Sequence, residues 1–239
     1  MTFRALAVTA TLGLAAGLLT VGPADARQVD PPVLRHPPAS QFSTRVDNPW
    51  MPMRPGTQWR FVGHTAGGTE HTVTTVLDRT RIVDGVRVVI VHDVTRRGGR
   101  LLENTYDWFA QDSRGRVWYF GENTKAYSAG GKVSREGSWQ SGRNGAHAGI
   151  VMEAHPQVGD AYRQEYRRGV AEDQARVLSL HASADVPYGA LHGLEKTRDF
   201  SRIEPRGDEV KYYKKGVGVV LENALYEKDR NELVRMIRR

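Results

Sequence analysis

The stretch from Tyr106 to Glu122, YDWFAQDSRGRVWYFGE, constrains this chain more than any other. It holds six aromatic residues in two runs, separated by Asp112-Ser113-Arg114-Gly115. That tetrapeptide is a turn by mechanism. Asp in first position accepts a hydrogen bond from the backbone two residues on, and Gly in fourth position tolerates positive φ. A type I turn closed by a left-handed glycine is a common hairpin connection. If Asp112 faces Arg116, then Ala110 falls opposite Trp118, Trp108 opposite Phe120 and Tyr106 opposite Glu122. One face collects Tyr106, Trp108, Ala110, Trp118, Phe120 and Glu122. The other collects Asp107, Phe109, Gln111, Val117, Tyr119 and Gly121. Asp107 and Glu122 are thus expected on opposite faces, and a one-residue slip would exchange the two sets.

The rest of the chain reads as further strands around this ribbon. Thr57 to Gly63 alternates, and Glu70 to Leu77 is a second strand. Arg79 to Val83 and Val86 to Val94 flank Asp84-Gly85, a strong hairpin signal. Val88-Val89-Ile90-Val91 is apolar on both faces, as a central strand requires. Further turns are expected at Arg97-Gly98-Gly99-Arg100, Ala129-Gly130-Gly131 and Lys214-Lys215-Gly216. Trp139 to Gly149 reads as a long loop, and Leu225 to Glu227 and Leu233 to Ile237 as closing strands. Short strands at roughly ten-residue spacing, with no amphipathic helix, indicate an all-β domain. The short connections favour a curved antiparallel meander, an open or closed barrel, because closure removes unpaired edges.

Ahead of this domain stand two segments of different character. Met1 to Arg4 is a short basic start, Ala5 to Val21 is apolar, and Ala24-x-Ala26 is a small-residue cleavage pattern. These predict a signal peptide over residues 1–26, export, and a secreted or cell-wall-associated protein without a membrane span after cleavage. Residues 27–54, with Pro31-Pro32, Pro37-Pro38, Pro49 and Pro52, predict an extended arm. Its Trp50, Met51 and Met53 are expected to dock on the single β domain over residues 55–239.

The chain contains no cysteine, which excludes disulfides, thiolate metal sites and cysteine nucleophiles. The eight histidines show no i,i+2 or i,i+4 pair, so no metal site is expected. No phosphate loop, nucleophile elbow or dinucleotide motif appears, and no cofactor is called for. The net charge of +7 is dispersed, without a nucleic-acid recognition motif. In an exported protein it allows contact with anionic cell-envelope polymers.

The candidate site is the hairpin. Trp108, Trp118 and Phe120 would line an apolar pocket in a bent sheet, with Glu122 orienting the ligand and Trp139 nearby. The same side chains could equally fill the barrel. The leading function is non-catalytic binding of a small apolar or amphipathic ligand. A carbohydrate-active enzyme is the alternative, drawing on Asp107, Glu122, Glu136, Glu165, Glu172 and Asp173. It needs two carboxylates in one cleft, roughly 5–9.5 Å apart. A basic module for anionic wall polymers is the third reading.

Four segments carry a family likeness: PGTQWRFVG at Pro55 to Gly63, YDWFAQDSRGRVWYFGENT at Tyr106 to Thr124, GSWQSGRNGAHAGIVM at Gly137 to Met152, and VGDAYRQEYRRGVAED at Val158 to Asp173. In these the chain resembles an uncharacterised family of exported bacterial proteins common in actinobacteria. The resemblance implies export and an all-β fold, and implies no activity.

Overall fold

The computed structural model describes residues 30–238. The expected signal peptide and its cleavage site lie outside the described residues. Among the described residues sixteen strands form the fold: β1 Phe42–Ser43, β2 Gln58–Thr65, β3 Gly68–Val83, β4 Val86–Arg97, β5 Arg100–Asp112, β6 Val117–Tyr127, β7 Val133–Ser134, β8 Trp139–Gln140, β9 His147–Met152, β10 Ala161–Arg163, β11 Glu165–Tyr166, β12 Gln174–Val186, β13 Gly189–Phe200, β14 Glu209–Lys214, β15 Gly218–Ala224 and β16 Arg230–Ile237. Among the described residues there is no α-helix.

The sheet runs β10-β12-β13-β14-β15-β16-β2-β3-β4-β5-β6-β9-β11, with every pairing antiparallel. Its two ends, β10 and β11, are separated along the chain by Gln164 alone. The strip therefore curls until its ends meet, a nearly closed barrel. β16 pairs with β2, so the last strand of the domain closes onto the first long one.

Residues opposite one another across a ladder share a face. One such row runs Val76, Val91, Asp107, Glu122, Trp139, and a second runs Trp59, Thr74, Asp93, Thr105, Thr124. Trp59, Phe61, Val91, Phe109 and Val219 line a single cavity, although β5 and β15 lie far apart in the strand order. That face is therefore the inside of the barrel. It carries an apolar core of Trp59, Phe61, Val76, Val91, Phe109, Tyr119 and Leu233 beside buried Thr72, Thr74, Thr95, Thr105 and several carboxyls.

On the other face of β4, β5 and β6 lies a second core. It contains Val88, Ile90, Trp108, Ala110, Trp118, Phe120 and Ile150. The Pro-rich arm covers it. Phe42 meets Phe120 and Trp118 edge-on, with ring centroids 5.4 and 6.1 Å apart, and β1 pairs with the end of β5. Asn48 anchors the next turn. Its Nδ2 donates to the carbonyls of Gly115 (2.9 Å) and Glu153 (3.0 Å), and its Oδ1 accepts from the Trp50 N–H (2.9 Å). Met51 and Met53 are buried against the mouth of the inner cavity.

The structure corrects several local expectations. Residues 68–83 are one long strand with a register shift between Val76 and Thr80, not two strands. Trp139 to Gly149 holds β8 and the start of β9 around a tight turn, not a long loop. Residues 225–227 form a bend before β16, not a strand.

Candidate functional site

The hairpin turn forms as its residues dictate. Asp112 Oδ1 accepts from the backbone N–H groups of Arg114 and Arg116, both at 3.0 Å, and Gly115 adopts φ +82°. Asp112 Oδ2 accepts from the Trp118 indole at 2.9 Å and from Arg116 at 2.8 Å. Burial pushes this carboxyl up, but the Trp118 and Arg116 hydrogen bonds outweigh it and hold it below its usual value.

Beyond Ala110↔Trp118 and Phe109↔Tyr119 the register slips, and Asp107 pairs with Glu122. Phe120 and Gly121 together oppose Trp108, a β-bulge. Gly121 takes φ +125°, and a Cβ there would press on the Trp139 carbonyl and lie 2.9 Å from Gln140 Cα. The bulge turns Glu122 to the inner face. This overturns the sequence expectation in two ways. Glu122 leaves the Trp108–Trp118–Phe120 face, and Asp107 and Glu122 now stand on the same side.

The two acids meet at one phenol. Tyr119 Oη donates to Asp107 Oδ1 at 2.7 Å and lies 3.3 Å from Glu122 Oε2. Beside it, the Trp139 indole donates to Glu165 Oε2 at 2.7 Å, and the Trp139 ring meets Tyr119 edge-on. Burial, then the neighbouring Asp107 and Glu165 charges, raises the Glu122 carboxyl well above its ordinary range. Burial does the same to Asp107 and Glu165. Burial therefore disfavours the ionised form of all three acids.

Glu122 forms part of the wall of a cleft of about 320 Å³, shared with Trp108, Trp139, Arg81, Arg143 and Arg167. Arg81 on β3 stacks 4.1 Å over the Trp108 ring and donates to Gln140 Oε1 at 3.2 Å. Arg167 is held by the Ser138 carbonyl at 2.9 Å. Arg143 projects from the turn between β8 and β9 and is exposed. Burial, then the charge of Arg143, lowers Arg81 from its ordinary value. Among the described residues none of the three guanidinium groups has a carboxylate partner. Asn123, Asn144, Ser138 and Gln140 complete the wall. The result is a cationic cleft whose wall includes one acid with a raised pKa.

The five sequence candidates divide accordingly. Trp108, Glu122 and Trp139 border this cleft. Trp118 borders a separate cleft under the arm, and Phe120 is sealed at 0 % exposure. The Trp108–Trp118–Phe120 face is packed and covered by Phe42, rather than forming an open apolar pocket. The apolar cavity inside the barrel has a volume of about 20 Å³, room for about one water. Of the remaining acids, Glu136 is exposed and Glu172 accepts the Gly169 N–H at 2.8 Å in a turn. Arg81, Arg143 and Arg167 had no signal in the sequence, because they arrive from strand β3, the β8–β9 turn and the segment after β11. Among the described residues no cluster of His, Asp or Glu has metal-binding geometry.

No protein-family model matches this chain. No curated protein matches it either. Two solved structures are similar to it. One is a candidate exported protein with a YmcC-like fold from Bacteroides fragilis, at 15 % identity and TM-score 0.47, covering 79 % of this chain and 99 % of that one. The other is a candidate lipoprotein from Parabacteroides distasonis, at 13 % identity and TM-score 0.39, covering 79 % of this chain and 98 % of that one.

Proposed function

We propose that this is an exported, non-catalytic binding protein that takes an anionic group of a cell-envelope polymer into the Arg81–Arg143–Arg167 cleft. Three guanidinium groups around one cleft, none neutralised by a carboxylate among the described residues, carry this reading. Guanidinium forks are the side chains best matched to phosphate and carboxylate oxygens. Stacking on Trp108 and the bond to Gln140 hold Arg81 ready, so less conformational freedom is lost on binding. The cleft volume lies at about the lower bound of ordinary ligand pockets, roughly 300 Å³. Export rests on the basic, apolar and Ala-x-Ala pattern of residues 1–26.

A glycoside-cleaving site is not favoured. Only Glu122 of the acid pair reaches the cleft, and Asp107 is wholly buried behind Tyr119. An apolar ligand is not favoured either, given the cavity of about 20 Å³.

The test is titration of the purified protein with fluorescently labelled poly(glycerol phosphate) at several salt concentrations. Binding should weaken steeply with salt, and the exposed-site variant Arg143→Ala should lose about fivefold or more in affinity. Binding that ignores both salt and Arg143 would reject the reading.

A further inference from the structure

The cationic cleft has two neighbours. The first, about 380 Å³, lies beyond the β8–β9 turn and is lined by Arg35, His36, Asp84, Gly142 and His147. The second, about 300 Å³, shares Leu34 and Arg35 with the first and continues to Gln41, Arg114, Arg116 and Trp118. Gly142 borders the first neighbour, and Arg143, the next residue, borders the central cleft. The first and second hollows thus adjoin along the arm, and the first and the central cleft lie on either side of the Gly142-Arg143 step of the β8–β9 turn.

The row is uniformly cationic in its unpaired groups. Arg35 and Arg114 are exposed and, like Arg81, Arg143 and Arg167, have no carboxylate partner among the described residues. The three acids along the row are engaged, Glu122 by the Tyr119 hydroxyl at 3.3 Å. Asp84 Oδ2 accepts from Ser141 Oγ at 2.7 Å and faces His36 Nε2 at 3.2 Å. Asp112 is bound by Arg116 and Trp118. The walls between are also fixed. The bond from Ser141 to Asp84 ties the β8–β9 turn to the β3–β4 hairpin, and Ala148 N–H donates to the same Ser141 Oγ at 3.1 Å.

A single small anion needs one such hollow. Three in register, each with its own free guanidinium, suit a chain that repeats its charge. We infer that the three clefts form one continuous track for a linear phosphodiester-linked polymer of sugars or polyols, which rests on the binding reading above. Phosphate is the better match for the central cleft. Its guanidinium groups approach from three elements, and a tetrahedral phosphate offers oxygens in several directions, whereas a carboxylate offers two in one plane. Successive clefts then act as linked sites, and each occupied cleft raises the effective concentration of the next repeat.

The experiment compares ligand length. Affinity is measured for free glycerol phosphate, for glycerol phosphate oligomers of increasing length, and for polygalacturonate of matched length. Wild-type affinity should climb with oligomer length and then level off once the track is filled. The double variant Arg35→Ala, Arg114→Ala should lose about tenfold in affinity for the long oligomer and nothing for free glycerol phosphate. Both residues are exposed, and circular dichroism of the variant controls for folding. If long and short ligands bind alike and Arg35 and Arg114 are silent while Arg143→Ala still weakens binding, the track is wrong and the single cleft stands. If polygalacturonate binds as well as the phosphodiester chain, the assignment of phosphate is overturned. If Arg143→Ala has no effect on any ligand, the central cleft itself is not the site.

Discussion

Asp107 and Glu122 face each other across β5 and β6, and the single phenol of Tyr119 lies within hydrogen-bonding reach of both. Two carboxyls share one donor inside the barrel, and burial raises both, which eases their mutual repulsion. A carboxyl whose ionised form is disfavoured offers less counter-charge to the three arginines of the cleft that it helps to line.

The arrangement depends on the bulge at Gly121. An alanine there is strained at φ +125° and collides with the Trp139 backbone. Gly121→Ala should cost roughly 2–4 kcal/mol and lower the urea midpoint accordingly. A midpoint unchanged from wild type would mean that the bulge does not set this register.

Tyr119→Phe removes the donor to Asp107 without changing the ring that stacks on Phe109. The expected cost is about 1–3 kcal/mol, the penalty for stranding a buried acceptor. Denaturant unfolding checks it, with Phe109→Leu as the control for ring packing.

Stability should depend on pH through the barrel's acids. Burial raises Glu195 to about 8, Glu209 to about 7 and Asp173 to about 6. The unfolded chain releases these protons at the ordinary carboxylate values, near 4. Between those values and about 8 the folded state holds more protons than the unfolded one, so stability falls as pH rises through this window. The thermal midpoint should be higher at pH 5 than at pH 8. Glu195→Gln should flatten the upper part of the decline, because Glu195 has the highest of the three values. A midpoint that rises from pH 5 to pH 8 would contradict the assignment.

Asn48 fastens the arm to the hairpin turn and to the carbonyl of Glu153. Asn48→Ala should cost about 2–3 kcal/mol through lost buried hydrogen bonds. Hydrogen exchange should show the protection loss concentrated in residues 42–53, ahead of any loss in β4 and β5. Uniform loss across the barrel would mean that the arm and barrel unfold as one unit.

The turns were legible because each rests on local chemistry. Asp84-Gly85 adopts φ +49° and +78°, and Asp112 to Gly115 closes the hairpin by its own side chain and a left-handed glycine. Pairing next to such a turn follows from it, as Ala110↔Trp118 does. Six residues before Asp112 the same extrapolation fails for Tyr106, which faces Asn123 instead of Glu122. A bulge needs only one permissive glycine and a neighbouring strand to press against. Gly121 was visible, but the Trp139 backbone it must admit was not.

What the residues alone determined about this protein is its class: strands set by alternation, turns set by Asp and Gly, an apolar ribbon that had to be buried, and a leader pattern ahead of them. These depend on neighbours a few positions apart. The tertiary structure alone decided which side of the ribbon faces inward, that the arm's Phe42 seals the Trp118–Phe120 side, and that Arg81, Arg143 and Arg167 converge. Those outcomes depend on how a long sheet curls back on itself. Curling brings together groups whose separation in sequence carries no periodicity for a pattern to reveal.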